Sequence, residues 1–269
     1  MNLSAIPDKL FAILRRDLLT AVRYRAGFFL ATAGTLVELA AFYYLSRSIG
    51  PAFRPDGMSY FPFLVVGTGM YTFLLLAIRG FVRVVQDAQQ SGTLEVLMTC
   101  STSAPTIVIL SAASALVVGM VQFILYLGLG FFLMGTPPPA ANLPACLLIF
   151  GLSLVIVVAI GMIAAALQIA IQKGSAVLWL FGSGAWFLTG TLFPVTTLPA
   201  PLRNLSTFIP LTHSLTAMRM ALLEGADISS LAPEIRFLCL FAVILLPLGL
   251  WMFSFALGRA RLMGTLSFY

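Results

Sequence analysis

Charge is what this sequence has least of. Only 9% of its 269 residues are Asp, Glu, Lys or Arg, whereas soluble domains average about 25%. So few charged side chains cannot cover a surface that faces water, and the mean hydropathy of +1.04 agrees with this. The composition excludes a soluble domain and predicts an integral membrane protein.

Residues that build catalytic or metal sites are also scarce. The chain has a single histidine, His213, and three scattered cysteines without a Cys-x-x-Cys motif. One histidine makes neither a zinc triad nor a proton relay, and isolated cysteines in apolar runs are typical of small buried hydrophobic residues. We expect no catalytic site and no metal site. We interpret His213 as a loop histidine whose hydrogen bonds are satisfied.

Phosphate-binding motifs are missing as well. The sequence has no Gly-x-x-x-x-Gly-Lys-Ser/Thr motif and no Gly-Lys dipeptide, so it lacks a Walker-type loop for nucleotide phosphates. We expect no cofactor on this chain, and if the protein uses ATP, another polypeptide must hydrolyse it. The net charge of +6 does not indicate a nucleic-acid partner, because the basic residues form no single patch.

Long apolar runs, by contrast, are plentiful. About 20 apolar residues of helix cross a hydrocarbon core about 30 Å thick, and six stretches of this chain qualify. They predict an all-α transmembrane domain over residues 27–269. The predicted spans are Gly27–Ser46, Phe61–Phe81, Ile107–Met134, Leu143–Ile171, Ala176–Phe193 and Phe237–Leu257.

Residues 1–26 form a separate amphipathic segment. Leu10, Leu14, Leu18 and Val22 recur every four residues, and cationic side chains fall on the opposite face. This pattern predicts a helix that lies in the inner membrane interface and contacts lipid head groups. The alternative is a plain cytoplasmic extension of the first span.

The connections between the spans differ in basic residues. With the N-terminus inside, ten of the fifteen basic residues fall on the inner side and five on the outer side. Cytoplasmic loops carry the excess of Lys and Arg. The distribution therefore predicts a multi-pass protein of the plasma (inner) membrane with both termini in the cytoplasm.

One acidic residue lies within a predicted span. Glu38 is about midway along the first apolar stretch, where an ionised side chain costs at least ~2.5 kcal/mol. It is either a substrate or proton contact, or a carboxylate that is protonated or paired with a neighbouring helix. Aromatic residues of the second and fifth spans are candidates to line a cavity for an amphiphile: Tyr71, Phe73, Trp179, Phe181, Trp186 and Phe187.

Two connections carry more pattern than simple linkers need. Gln86–Thr99, on the predicted cytoplasmic side, has helix-compatible residues with one apolar face and one polar face. The outer connection after the fifth span is interrupted by several prolines, yet its apolar content remains high. It predicts short amphipathic helices over Pro199–Phe208 and Leu211–Leu223 that re-enter the membrane or pack on the bundle.

These two connections, with six spans, resemble those of ABC-2-type transporter permeases. The similar segments read "GTLEVLMTCSTSAP" and "TGTLFPVTTLPAPLRNLSTFIPLTHSLTAMR". The resemblance implies a permease that forms a homodimer or pairs with a close homologue, above two copies of a separate ABC ATPase that bind ATP and Mg. It also implies a coupling helix that docks on the ATPase. The family commonly has an Arg/Glu-rich run before the Gly-Thr, whereas this chain has Gln86–Ser91 with a single charge.

The resemblance assigns residues to two regions of the molecule. The coupling residues are Asp87, Gln90, Gly92, Thr93, Leu94, Glu95 and Leu97. The outer re-entrant residues are Phe193, Pro194, Pro199, Pro210 and His213.

The expected function is export of a hydrophobic or amphipathic molecule, such as an antibiotic or lipid. Export of a lipid-linked glycan by the same type of complex is an alternative. A secondary transporter is another alternative, but it would be expected to have more than one membrane-embedded acid or broken helices in two related halves.

Overall fold

The computed structural model describes residues 25–93, 104–134, 141–171 and 184–263. Within these ranges the chain forms eight α-helices and no strands. They are α1 (Arg25–Ile49), α2 (Tyr60–Gln90), α3 (Ala104–Met134), α4 (Leu143–Ile171), α5 (Ala185–Leu188), α6 (Ala200–Thr207), α7 (Pro210–Leu223) and α8 (Ala232–Met263). The predicted interfacial helix lies almost wholly in residues 1–24, outside the described residues.

Four of the described helices are long and apolar enough to cross a membrane: α2, α3, α4 and α8. They correspond to the second, third, fourth and sixth predicted spans. The first predicted span coincides with the 25-residue α1, which is not among these four. Six spans therefore remain a prediction, and four candidate spans are shown.

The first part of the fifth predicted span, residues 176–183, lies outside the described part of the chain. Its described end differs from the prediction, because helix α5 stops at Leu188 rather than at Phe193. Gly190 has a φ of +74°, which glycine adopts without steric cost, and the chain turns there. The backbone around Thr189 and Thr191 is held by a 2.9 Å hydrogen bond between their hydroxyl groups.

Helix α2 lies at the centre of the bundle. It packs against α3, α4 and α7. Most of its apolar stretch is buried, whereas most of the apolar stretch of α8 is exposed. Apolar residues surround α2 on all sides, as is typical of a buried helix. Helix α8 packs on α4 and leaves Trp251 and Phe255 exposed, a surface suited to lipid.

Small residues let the central helices approach closely. A Cβ atom on Gly80 of α2 would lie 2.5 Å from the Ala115 side chain of α3. A Cβ atom on Gly161 of α4 would overlap the Phe81 ring of α2. These contacts are within one subunit, and they fix α2 against both neighbours.

Candidate functional site

The predicted coupling stretch begins as part of helix α2. Residues 86–90 continue that helix without a break, so the prediction of a separate helix starting at Gln86 is wrong. The reason is local: these residues are good helix formers, and the first break comes at Gly92, whose φ is +65°. The turn is closed by hydrogen bonds from the Ser91 N–H to the Asp87 carbonyl at 3.0 Å and from the Gly92 N–H to the Gln89 carbonyl at 3.3 Å.

The predicted coupling residues are therefore divided between a helix end and a turn. Asp87 and Gln90 are exposed on the last turn of α2, and Gly92 and Thr93 are exposed in the turn that follows. A Cβ atom on Gly92 would meet no atom within 4 Å, so the surface there is open to a partner. The remaining coupling residues, Leu94, Glu95 and Leu97, lie outside the described residues.

Three glutamines join this end of α2 to α4. The Gln168 Nε2 of α4 donates a hydrogen bond to the Gln89 Oε1 at 3.1 Å, and the Gln86 Nε2 donates to the Gln168 Oε1 at 3.4 Å. Gln89 and Gln168 are 1% and 2% exposed. A buried amide is costly unless its hydrogen bonds are made, so this glutamine ladder ties the two helices together. The signal in the sequence was Gln168, an isolated polar residue in an apolar run.

A cavity of about 290 Å³ lies between α1, α2 and α3. Glu38 and Phe73, two predicted substrate-pathway residues, meet in its wall. Its lining is mainly apolar, but it carries several hydrogen-bonding side chains. The polar residues that line it are Thr35, Glu38, Thr72, Gln122 and Tyr126.

Two polar groups in this cavity have unused hydrogen-bonding capacity. Tyr126 is 7% exposed, and among the described residues its buried hydroxyl has no hydrogen-bond partner. Glu38 is half-buried, and no described side chain forms an ion pair or hydrogen bond with its carboxylate. Sequence reasoning identified Glu38 but missed Tyr126, because a tyrosine in an apolar helix gives no sign of whether its hydroxyl is satisfied.

The other predicted aromatic residues lie elsewhere. Tyr71 is buried in the main core on another face of α2. Trp186 packs partly against the core, and Phe187 is 55% exposed beside it, with ring centroids 5.5 Å apart. None of the three lines the cavity, while Trp179 and Phe181 lie outside the described residues.

The outer connection contains the two short helices that the prolines suggested, α6 and α7. Pro194 precedes a 3-10 turn, Pro199 caps α6, and Pro210 occupies the first turn of α7, where its missing N–H costs nothing. Phe193 is half-buried in the turn before them. The placement of these helices relative to a membrane remains a prediction.

His213 lies in helix α7 and not in a loop, so that part of the prediction is wrong. His213 falls within the helix that was also predicted over Leu211–Leu223, and the packing of that helix buries the ring. Its Nδ1 is 2.5 Å from the Glu234 Oε2, and its Nε2 donates to the Thr207 carbonyl at 2.9 Å. Its hydrogen bonds are satisfied, as expected. Burial lowers the pKa of His213, but the bonds to Glu234 and Thr207 outweigh it, and the net pKa is raised.

Arg219 of α7 is one of the five basic residues predicted to lie on the outer side, and the structure buries it. Its side chain is 4% exposed and donates to the carbonyls of Phe63 at 3.2 Å, Gly190 at 2.9 Å and Thr191 at 2.9 Å. The guanidinium also lies 3.4 Å over the Phe63 ring. Burial lowers its pKa, with Asp56 opposing, but an arginine remains protonated in proteins. We call this arrangement the Arg219 clamp. Nothing in the sequence indicated that Arg219 would bind the carbonyls of Gly190 and Thr191.

The sequence of this helical bundle is similar to those of known proteins. The family model of the ABC-2 family transporter protein matches residues 43–251, which include α2, α3, α4, α6 and α7. Over 77 residues the chain is 38% identical to Nodulation protein J from Rhizobium leguminosarum bv. viciae, a match that covers 29% of this chain and 27% of that relative. Membrane subunits of this family generally work with a separate ABC ATPase and are not enzymes themselves. The chain is a member of the ABC-2 transporter family.

Proposed function

We propose that this chain is the permease subunit of an ABC exporter, driven by ATP that a separate ATPase subunit hydrolyses. The observation that carries the proposal is the course of α2. This single helix lines the cavity at Phe73 and ends at the Gly92 turn. At 1.5 Å per residue the two points are roughly 28 Å apart along the helix axis. Motion of a partner at the turn is therefore delivered directly to the cavity.

The glutamine ladder extends this motion to a second helix. Because Gln168 bonds both Gln86 and Gln89, α4 moves with the end of α2. Helix α8 packs along α4. A push at the turn thus displaces three of the candidate spans together, while α3 stays linked to α2 through close side-chain packing.

The proposed complex contains two permease copies, or this chain and a close homologue, with two ATPase copies beneath them. Residues 86–99 form the coupling segment and dock in a groove of the ATPase. ATP and Mg bind only to that partner. The membrane is the plasma (inner) membrane, and both termini are cytoplasmic, as the distribution of basic residues indicates.

The cargo we propose is a hydrophobic or amphipathic small molecule that enters the cavity between α1, α2 and α3. At about 290 Å³ the cavity is at the small end of the range for ligand pockets. It accepts a compact head group with a mainly apolar environment around it. That size favours a small amphiphile over a long polysaccharide. Export of a lipid-linked glycan is the competing cargo within the same type of complex.

The test is coexpression with a candidate partner ABC ATPase from the same organism, purification through a tag on the permease, and reconstitution in vesicles. We expect the ATPase to copurify and vesicles to move a fluorescent amphiphile only when ATP and Mg are supplied. A Walker-lysine variant of the ATPase is the matched control, because it docks but does not hydrolyse. Transport that is equal with this control would refute the proposal.

A further inference from the structure

We infer that the cavity between α1, α2 and α3 binds the cationic head group of an amphiphile, with Glu38 as the countercharge. This inference rests on the proposed function, since it names the class of molecule that the proposed substrate site accepts. The juxtaposition that carries it lies around one space: a carboxylate that no described cation pairs with, a phenol without a partner among the described residues, and two aromatic rings.

The carboxylate is the first part of the argument. Glu38 lies mid-helix in α1 and lines the cavity, and no described cation pairs with it. The nearest basic residue on its own helix in the C-terminal direction, Arg47, lies nine positions on, more than two helical turns away. Helix α1 coincides with the first predicted span, and carboxylates within membrane spans nearly always have a partner or a functional role. A cationic ligand would supply the countercharge that no described residue provides.

The phenol of Tyr126 is the second part. Its hydroxyl is buried and unpartnered within the described structure, and Tyr126 lines the same cavity as Glu38. A buried hydroxyl without a hydrogen bond is destabilising, so the protein retains this group at a cost. An ammonium or guanidinium group donates several hydrogen bonds. It can satisfy the carboxylate and the phenol oxygen together.

The aromatic wall is the third part. Phe73 and Phe123 both line the cavity, with ring centroids 6.1 Å apart. The negative face of an aromatic ring attracts a cation, more strongly where water is excluded. A neutral polyol would leave the carboxylate of Glu38 without a countercharge.

The surface beside the cavity suits an apolar tail. Leu125 lines the cavity and is 45% exposed, and Val121 and Ile124 on the same helix are 50% and 65% exposed. These residues form an apolar surface that starts at the cavity mouth. A ligand with its cation at Glu38 would place a hydrocarbon chain along this surface of α3. The site therefore takes an amphiphilic cation and not a small inorganic one.

The test compares two probes with the same tail, dodecylammonium and dodecanol, on the purified permease in nanodiscs of zwitterionic phosphatidylcholine. Neutral lipid avoids attraction of the cation to an anionic surface, and empty nanodiscs give the background. We expect the parental protein to bind dodecylammonium at least about tenfold more tightly than dodecanol, since a hydrogen-bonded charge is worth that factor or more.

Three variants assign the effect to residues. Glu38→Gln keeps the size of the side chain and should reduce dodecylammonium affinity about tenfold, with dodecanol binding unchanged. Tyr126→Phe removes only the unpartnered hydroxyl and should weaken dodecylammonium binding by a smaller factor, about threefold. Glu224→Gln, an exposed acid outside this cavity, is the matched control and should change neither affinity.

Several results overturn the inference, each independently of the proposed function. Equal affinity of the parental protein for the two probes overturns it, even if Glu38→Gln fails to assemble. Unchanged dodecylammonium binding in a folded Glu38→Gln variant also overturns it. If ATP-driven transport of amphiphiles is found without binding of the cation, the exporter function stands and the cationic class is wrong. If no ATPase copurifies but the cation binds through Glu38, the cationic class stands and the proposed exporter function is wrong.

Discussion

Replacing Arg219 by methionine should destabilise the bundle more than almost any other single change on α7. The guanidinium is 4% exposed and holds three backbone carbonyls, those of Phe63, Gly190 and Thr191. Methionine keeps the apolar stem and removes all the donors. The Phe63 carbonyl keeps its place in the hydrogen-bond ladder of α2, but the carbonyls of Gly190 and Thr191 lose this donor, at about 1–3 kcal/mol each. Relief of the buried charge offsets part of this, so the net loss should be about 3–5 kcal/mol.

The assay is thermal unfolding of the purified permease in nanodiscs, followed by tryptophan fluorescence. A loss of this size lowers Tm by on the order of 10 °C. Arg219→Lys keeps the charge, but its compact ammonium cannot reach three divergent carbonyls, so its Tm should be intermediate. Arg203→Met is the matched control. Arg203 also donates to two carbonyls, but it is exposed, and its loss should change stability by less than about 0.5 kcal/mol.

Gly67 supplies an independent check of the same geometry. A Cβ atom there would overlap the Arg219 guanidinium and lie 2.8 Å from the Thr191 carbonyl oxygen. Gly67→Ala should therefore destabilise the parental protein, and its cost should fall by at least ~1 kcal/mol in the Arg219→Met background. The description would be contradicted if Arg219→Met had the parental Tm, or if the effects of the two substitutions on the free energy of unfolding were additive. Arg219 would then not stabilise the backbone at Gly190 and Thr191.

Three further predictions concern the pH response and the coupling end. Because the pKa of His213 is raised, its protonation stabilises the fold fully below the ordinary value of 6.5, and that stability is lost as pH rises through the raised pKa. The Tm of the parental protein should therefore fall as pH rises from 6.5 through the raised pKa, and the Tm of Glu234→Gln should stay flat. A parallel fall in both proteins would contradict the pairing of His213 with Glu234. Gln168→Leu should leave copurification of the ATPase intact but reduce substrate-stimulated ATP hydrolysis severalfold. Stimulation at the parental level would mean that the glutamine ladder contributes only to helix packing. Gly92→Val and Glu95→Arg should leave the permease folded and lower ATPase copurification severalfold; normal docking and transport with both in place would make the stretch a linker.

Much of the bundle could be predicted from the sequence because apolar length is a local property. The fourth predicted span has the same bounds as helix α4. Helices α2, α3 and α8 contain the second, third and sixth predicted spans. The ends were less predictable. Helix α2 continues to Gln90 because polar residues can extend a helix beyond the hydrocarbon, and hydropathy detects only the part that a membrane requires.

The candidate site was less accessible to sequence reasoning, since it depends on which side chains meet. Glu38 was identifiable as an acid in an apolar run, but the cavity that it shares with Tyr126 comes from the packing of three helices. In the sequence, Arg219 looked like an ordinary cation and His213 like an ordinary histidine of a proline-rich connection. Their burial follows from Pro210, which begins a helix that packs against α2, α4 and α8, and long-range packing of this kind leaves no periodic signal.

The central claim is that ATP hydrolysed on another subunit drives transport through this chain, and ATP-dependent efflux from proteoliposomes tests it most directly. Vesicles with the permease and its ATPase should move a fluorescent amphiphile against its gradient when ATP and Mg are present, with ion gradients collapsed by ionophores. Vesicles with the permease alone should show no such movement. Transport by the permease alone, driven by a proton or sodium gradient and indifferent to ATP, would contradict the account and identify a secondary transporter.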